Sequence, residues 1–153
     1  LSLHAGDKTI DVQSVDGAAP GSARVYFPEQ DILFAGDTVV AGTHPYMAAT
    51  PSSEAWMRTL RLLRRKQHEN TIVVPGRGAL CDQSATLALS DYIALARRRV
   101  RSLHTAGRAR ADVLALVPEM LEQFPVADDG REYVQRRVKS GLDHLYEELK
   151  PEE

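Results

Sequence analysis

Two glycine-punctuated segments constrain this chain more than any other feature: Gly17-Ala18-Ala19-Pro20-Gly21-Ser22 and Val73-Val74-Pro75-Gly76-Arg77-Gly78. A Pro-Gly pair presets one backbone angle and frees the next, so it fixes a tight change of direction. Between the two segments lie an apolar run at Ala23–Phe27, a second at Asp31–Ala35, and the stretch Phe34-Ala35-Gly36-Asp37-Thr38. Pro28-Glu29-Gln30-Asp31 is a short connection between the two runs and predicts a hairpin. Thr9–Val15 carries Ile10, Val12 and Val15 among polar neighbours and reads as an earlier strand. Leu1–His4 reads as a short one before the Gly6-Asp7 turn.

The second half changes period. After an irregular loop over Val39–Thr50, Thr50-Pro51-Ser52-Ser53-Glu54 predicts a helix start, with Pro51 in the first turn. Trp56, Leu60 and Leu63 form its apolar face, and Arg61, Arg64, Arg65 and Lys66 load its end. Thr71–Val74 predicts a short buried strand ending at Pro75-Gly76. Ser84–His104 places Leu89, Ile93, Ala96, Val100 and Leu103 on one side of a long helix, with Gly107 as its stop. A further helical segment begins at Val113, is broken or restarted by Pro118, and closes at Phe124-Pro125. Asp128-Asp129-Gly130 is a turn. The last helix, about Glu132–Leu149, aligns Val134, Val138, Leu142 and Leu145. The expected organisation is one α/β domain over residues 1–153, strands first and helices after.

The order of turn, strand, Gly36-Asp37-Thr38, helix, strand and Pro75-Gly76-x-Gly78 resembles the C-terminal half of the metallo-β-lactamase superfamily. The resemblance covers roughly Leu3 to Tyr146. It implies an αβ/βα sandwich type of fold, of which this chain is one half, with the other half absent. Beginning at Leu1, the chain is read as a trimmed or processed product. The family writes the two turns as Gly-His-Thr-Pro-Gly-Ser and Pro-Gly-His-Gly, and both histidines bind metal. Here those positions are Ala18 and Arg77. The family's other motif, His-x-His-x-Asp-His, is absent, and His4, His44, His68, His104 and His144 are scattered. Asp37 aligns with the family's metal-bridging aspartate and is the one ligand position that survives.

The chemistry expected of such a site follows from its donors. A catalytic zinc needs about three protein ligands and an open position for water. Ala18 cannot ligate, and Arg77 carries a fixed positive charge. The expected function is therefore a catalytically degenerate domain acting as a structural or binding unit. It takes no cofactor, and zinc enters only if the missing half is supplied. One alternative is a segment of a metal-dependent hydrolase of lactams, thioesters or phosphoesters, completed by another half. The Arg77 guanidinium is expected either to pair with Asp37 within about 6 Å, the reach of strong charge coupling, or to face solvent while Asp37 stiffens its loop. His44 and Tyr46 follow Asp37 where the family places pocket residues. The plainer readings are a structural or surface histidine and a tyrosine covering the sheet edge.

Composition narrows the partners. A formal net charge of −2 opposes a generic nucleic-acid or membrane-surface binder. Arg97-Arg98-Arg99 with Arg101, and Arg108 with Arg110, are the basic runs that a second alternative, nucleic-acid binding through helices, would use. They spread around a helix and lack interleaved aromatics. No stretch approaches the roughly 18 apolar residues of a membrane span. Cys81 is the single cysteine, which fits a reducing cytoplasm. A lone half fold would expose an inner sheet face carrying Val25, Phe27 or Leu33. A homodimer or a partner half is expected to cover it.

Overall fold

In the structure, a computed structural model, residues 1–152 are described. Five strands form one sheet in sequence order: β1 (Ser2–Ala5), β2 (Lys8–Ser14), β3 (Ala23–Phe27), β4 (Ile32–Val40) and β5 (Ile72–Arg77). The first four are antiparallel neighbours, and β5 runs parallel to β4. That parallel step requires a crossover, supplied by the loop after β4 and helix α1 (Ser53–Leu62). Helices α2 (Ser84–Thr105), α3 (Val117–Leu121) and α4 (Arg131–Glu148) follow, with a 3-10 segment at Arg110–Leu116 leading into α3. This is an α/β architecture with its mixed sheet first and its helices after, as the sequence predicts.

Three boundaries differ from expectation. β4 runs five residues past Ala35, so Gly36-Asp37-Thr38 lies inside a strand. Its register against β5 shifts between Phe34 and Gly36 and again before Val40, an irregular ladder that absorbs the glycine and aspartate. β5 likewise continues through Pro75 and Gly76 to Arg77. Pro51 sits outside α1, which is capped by the Ser52 hydroxyl accepting from the Ala55 N–H at 3.1 Å.

The core lies between the sheet and the helices. Leu33, Ala35 and Val73 from the sheet join Trp56, Leu60 and Leu63 of the α1 region. Leu89, Ile93, Ala96 and Val100 of α2, and Val138, Leu142 and Leu145 of α4, complete it. A buried polar node ties three helices together. The Ser53 N–H and hydroxyl donate to Glu148 Oε1 at 2.8 and 2.9 Å, and Arg97 donates to the Ser53 hydroxyl.

The opposite face of the sheet is also apolar. Leu3 pairs with Ile10, and Ile32 sits between Phe27 and Ile72. Val12 pairs with Val25, Val25 with Phe34, and Phe34 with Val74. Directly paired residues, and residues two apart on a strand, share a face. All of these side chains therefore point away from the helices. Leu33 does not: it is fully buried in the helix-side core, while Phe34 beside it is 45% exposed. The expectation that Leu33 shares a face with Val25 and Phe27 is corrected by one residue of register.

Candidate functional site

The first turn is closed by its own serine. The Ser22 N–H reaches the Ala19 carbonyl at 3.2 Å, and the Ser22 hydroxyl donates to that carbonyl at 2.7 Å. Pro20 and Gly21 occupy the corner, and Gly21 takes φ +75 as the second corner residue of such a turn demands. Ala18 is 4% exposed and packs into the core. A Cβ added at Gly17 would overlap the Thr38 hydroxyl, which places this turn against β4 next to Asp37. A Cβ at Gly76 would overlap the Asp37 carboxylate, so only glycine lets β5 approach there.

Asp37 and Arg77 meet at this junction. Arg77 Nε lies 3.8 Å from Asp37 Oδ1, well inside the 6 Å limit expected of a pair. Arg77 Nη2 donates to the His44 carbonyl at 3.2 Å, so the guanidinium bridges β4 to the loop beyond it. The two side chains are 49% and 37% exposed, and a pair so solvated contributes less than about 1 kcal/mol. The pair is thus a matter of local charge rather than of stability.

No group of three or more His, Cys, Asp or Glu able to hold a metal ion occurs among the described residues. At the junction itself, one carboxylate faces a fixed cation, and Ala18 in the adjoining turn offers only a buried methyl. This donor set does not fit a catalytic zinc. What it can do is hold the ends of two parallel strands and the following loop in one arrangement.

His44 and Tyr46 are both tied to helices. His44 is 6% exposed. Its Nε2–H donates to the Phe124 carbonyl at 3.2 Å, and the Tyr92 hydroxyl donates to its Nδ1 at 3.1 Å. Its ring meets those of Tyr92 and Phe124 edge-on at 5.5 and 5.6 Å. These contacts hold His44 against α2 and the segment that follows α3. Tyr46 lies under the Arg137 guanidinium of α4, 4.2 Å from its ring centre. Sequence reasoning missed the tethers that hold the loop. The Thr50 hydroxyl donates to the Gly17 carbonyl and His144 Nε2 to the Thr50 carbonyl, each at 2.7 Å. The Trp56 indole N–H donates to the Thr38 carbonyl at 2.9 Å. These pairs are 18 to 94 residues apart, and no local pattern announces them.

Burial lowers the pKa of His44, and burial followed by the nearby Arg24 charge lowers that of His68. Both shifts run below the unfolded value near 6.5. The unfolded chain then binds more protons in that window, so stability rises with pH there. We expect full stability above about pH 6.5 and progressive loss as pH falls below it. Melting curves from pH 8 to pH 5 check this, with a shallower decline in an H44Q/H68Q variant.

The basic runs are mostly internally paired. Arg97 points inward toward Glu148 and Glu54. Arg99 grips Glu119 at 2.6 Å, Arg108 meets Asp112, and Arg110 meets Asp143 and Glu147. Arg98 and Arg101 line one shallow cleft with Ser102 and Thr105.

Comparison with known proteins agrees with this frame. The model of the metallo-beta-lactamase superfamily matches residues 4–77, a little under half of the chain. A metallo-beta-lactamase family protein from Thermus thermophilus superposes with a TM-score of 0.64 at 19% identity, covering 97% of this chain and 47% of that one. A sec-alkyl sulfatase double mutant gives 0.67 at 14% identity, covering 97% and 25%. A metallo-beta-lactamase from Pontibacter korlensis gives 0.54 at 23% identity, covering 61% and 45%. These likenesses show the fold. The chain spans less than half the length of each of these structures. No curated protein sequence matches it. No helix among the described residues is long and apolar enough to cross a membrane.

Proposed function

We propose that this chain is a metal-free structural or binding unit built on the C-terminal half of the metallo-β-lactamase fold. One observation carries the reading: the Arg77 guanidinium lies 3.8 Å from Asp37, the position where the resembling family bridges its metals. A fixed cation there offsets part of the carboxylate's charge and repels a divalent ion. Ala18, buried in the core at the second ligand position, adds no donor. The chain works as one domain. Its open sheet face takes a second layer, either another copy or a partner half. The single cysteine, Cys81, suits a reducing cytoplasm.

A second reading has its own support. The superposition covers 97% of this chain but only 47% of the Thermus structure, so a hydrolase completed by another half remains its rival. Assays with lactam, thioester and phosphoester substrates in zinc-containing buffer separate the two. We expect no turnover above buffer. Turnover abolished by a chelator, and lost in Asp37→Asn, would establish the hydrolase instead.

A further inference from the structure

We infer that the open face of the sheet docks a second copy of this chain, face to face, as a two-fold dimer. This deepens the structural-unit reading by naming its partner, and it rests on the scaffold role rather than on the state of the metal position.

The first support is the polarity of the β1–β2 hairpin. Its helix-side positions include the polar residues Ser2, Asp11 and Gln13. Its apolar positions, Leu3, Ile10 and Val12, all face the other way. Strand alternation normally aims apolar residues at the buried side. Here the helices cover the polar side's continuation, so the pattern is satisfied only if the open face is covered too.

The second support is area. The chain exposes 8673 Å² at a mass of 16.9 kDa. A compact monomer of that mass exposes about 7,700 Å². The excess, about 1,000 Å² over the whole surface, leaves room for the roughly 800 Å² per partner of a stable interface. Leu3, Phe34 and Ile72 are 47%, 45% and 47% exposed on this one face.

The third support is charge. The rows Phe27–Ile32–Ile72 and Val12–Val25–Phe34–Val74 contain no charged residue. In a two-fold contact each patch meets itself, so these rows carry no like-charge penalty, and Lys8 shares the face only at its far edge, opposite Ala5. The net charge of −2 adds little long-range repulsion. Phe27 and Phe34, in edge contact at 5.7 Å, supply the aromatic centre that such interfaces favour. Two such sheets pack about 10 Å apart with strands nearly aligned.

Sedimentation or light scattering of the purified chain across the micromolar range tests this. We expect a dimer. F34D should weaken it at least about 100-fold, equivalent to about 2.7 kcal/mol, while helical content and melting stay near the unmodified values. I72K, at the outer strand, reads the same face should F34D fail to fold. L114D, on the exposed helical side, should leave the dimer intact. A monomer throughout that range overturns the inference and points to a different covering layer. A dimer indifferent to F34D and I72K but broken by L114D also overturns it. Neither outcome touches the metal reading, which is decided by metal content.

Discussion

Arg97→Ala is expected to destabilise the fold by about 3–5 kcal/mol, the cost of breaking a buried ion pair from one side. Arg97 is 6% exposed although it belongs to a run of arginines on α2. Its guanidinium donates to the Ser53 hydroxyl and lies 3.5 Å from Glu148 Oε1 and 3.8 Å from Glu54 Oε2. Glu148 in turn caps α1 by accepting from the Ser53 N–H. Removing Arg97 leaves that carboxylate among buried groups without its cation and loosens the junction of α1, α2 and α4. Burial, and after it the nearby Arg101 charge, lowers the Arg97 pKa. Urea denaturation measures the loss. Arg97→Met, which keeps most of the volume, should cost less than Arg97→Ala. A loss below about 1 kcal/mol, typical of surface pairs, would contradict the node.

Trp56→Ala is expected to cost about 3–5 kcal/mol through the cavity it leaves. The side chain is fully buried in the core between α1 and the sheet. The substitution also strands the Thr38 carbonyl, which accepts the indole N–H at 2.9 Å next to Asp37. Trp56→Phe retains most of the apolar contact and loses the donor, at about 1–3 kcal/mol for the unsatisfied acceptor. Thermal unfolding separates the two variants. A Trp56→Phe loss near zero would mean that the hydrogen bond adds nothing.

Much of the frame is legible in the chain because it is written in period. β3 occupies Ala23–Phe27 as read, and Trp56, Leu60 and Leu63 are buried as their spacing requires. So are Leu89, Ile93, Ala96 and Val100 on α2. β4 is under-read because glycine and aspartate are poor strand formers. Parallel pairing with β5, distant in sequence, holds Gly36 and Asp37 in the strand regardless. Leu33 is misplaced because adjacent residues of a strand that is apolar on both faces give no sign of which face is which. Only the covering helices decide it.

The site divides the same way. The approach of Asp37 and Arg77 is legible because both belong to motifs, Gly36-Asp37-Thr38 and Pro75-Gly76-x-Gly78, whose order resembles a known frame, and opposite charges favour the contact. The burial of His44 is not. Its partners, Tyr92 and the Phe124 carbonyl, come from 48 and 80 residues away. A single histidine in a loop carries no mark of such contacts. The inward turn of Arg97 is equally hidden, since its neighbours Arg98 and Arg101 share its chemistry and line an open cleft instead.

The proposed function rests on the reading that the Asp37–Arg77 pair stands in place of a metal ion. Elemental analysis of the purified chain, after exposure to excess zinc and removal of the unbound ion, tests it most directly. We expect far less than one zinc per chain, unchanged in Asp37→Asn. One zinc per chain, lost in Asp37→Asn, would contradict it.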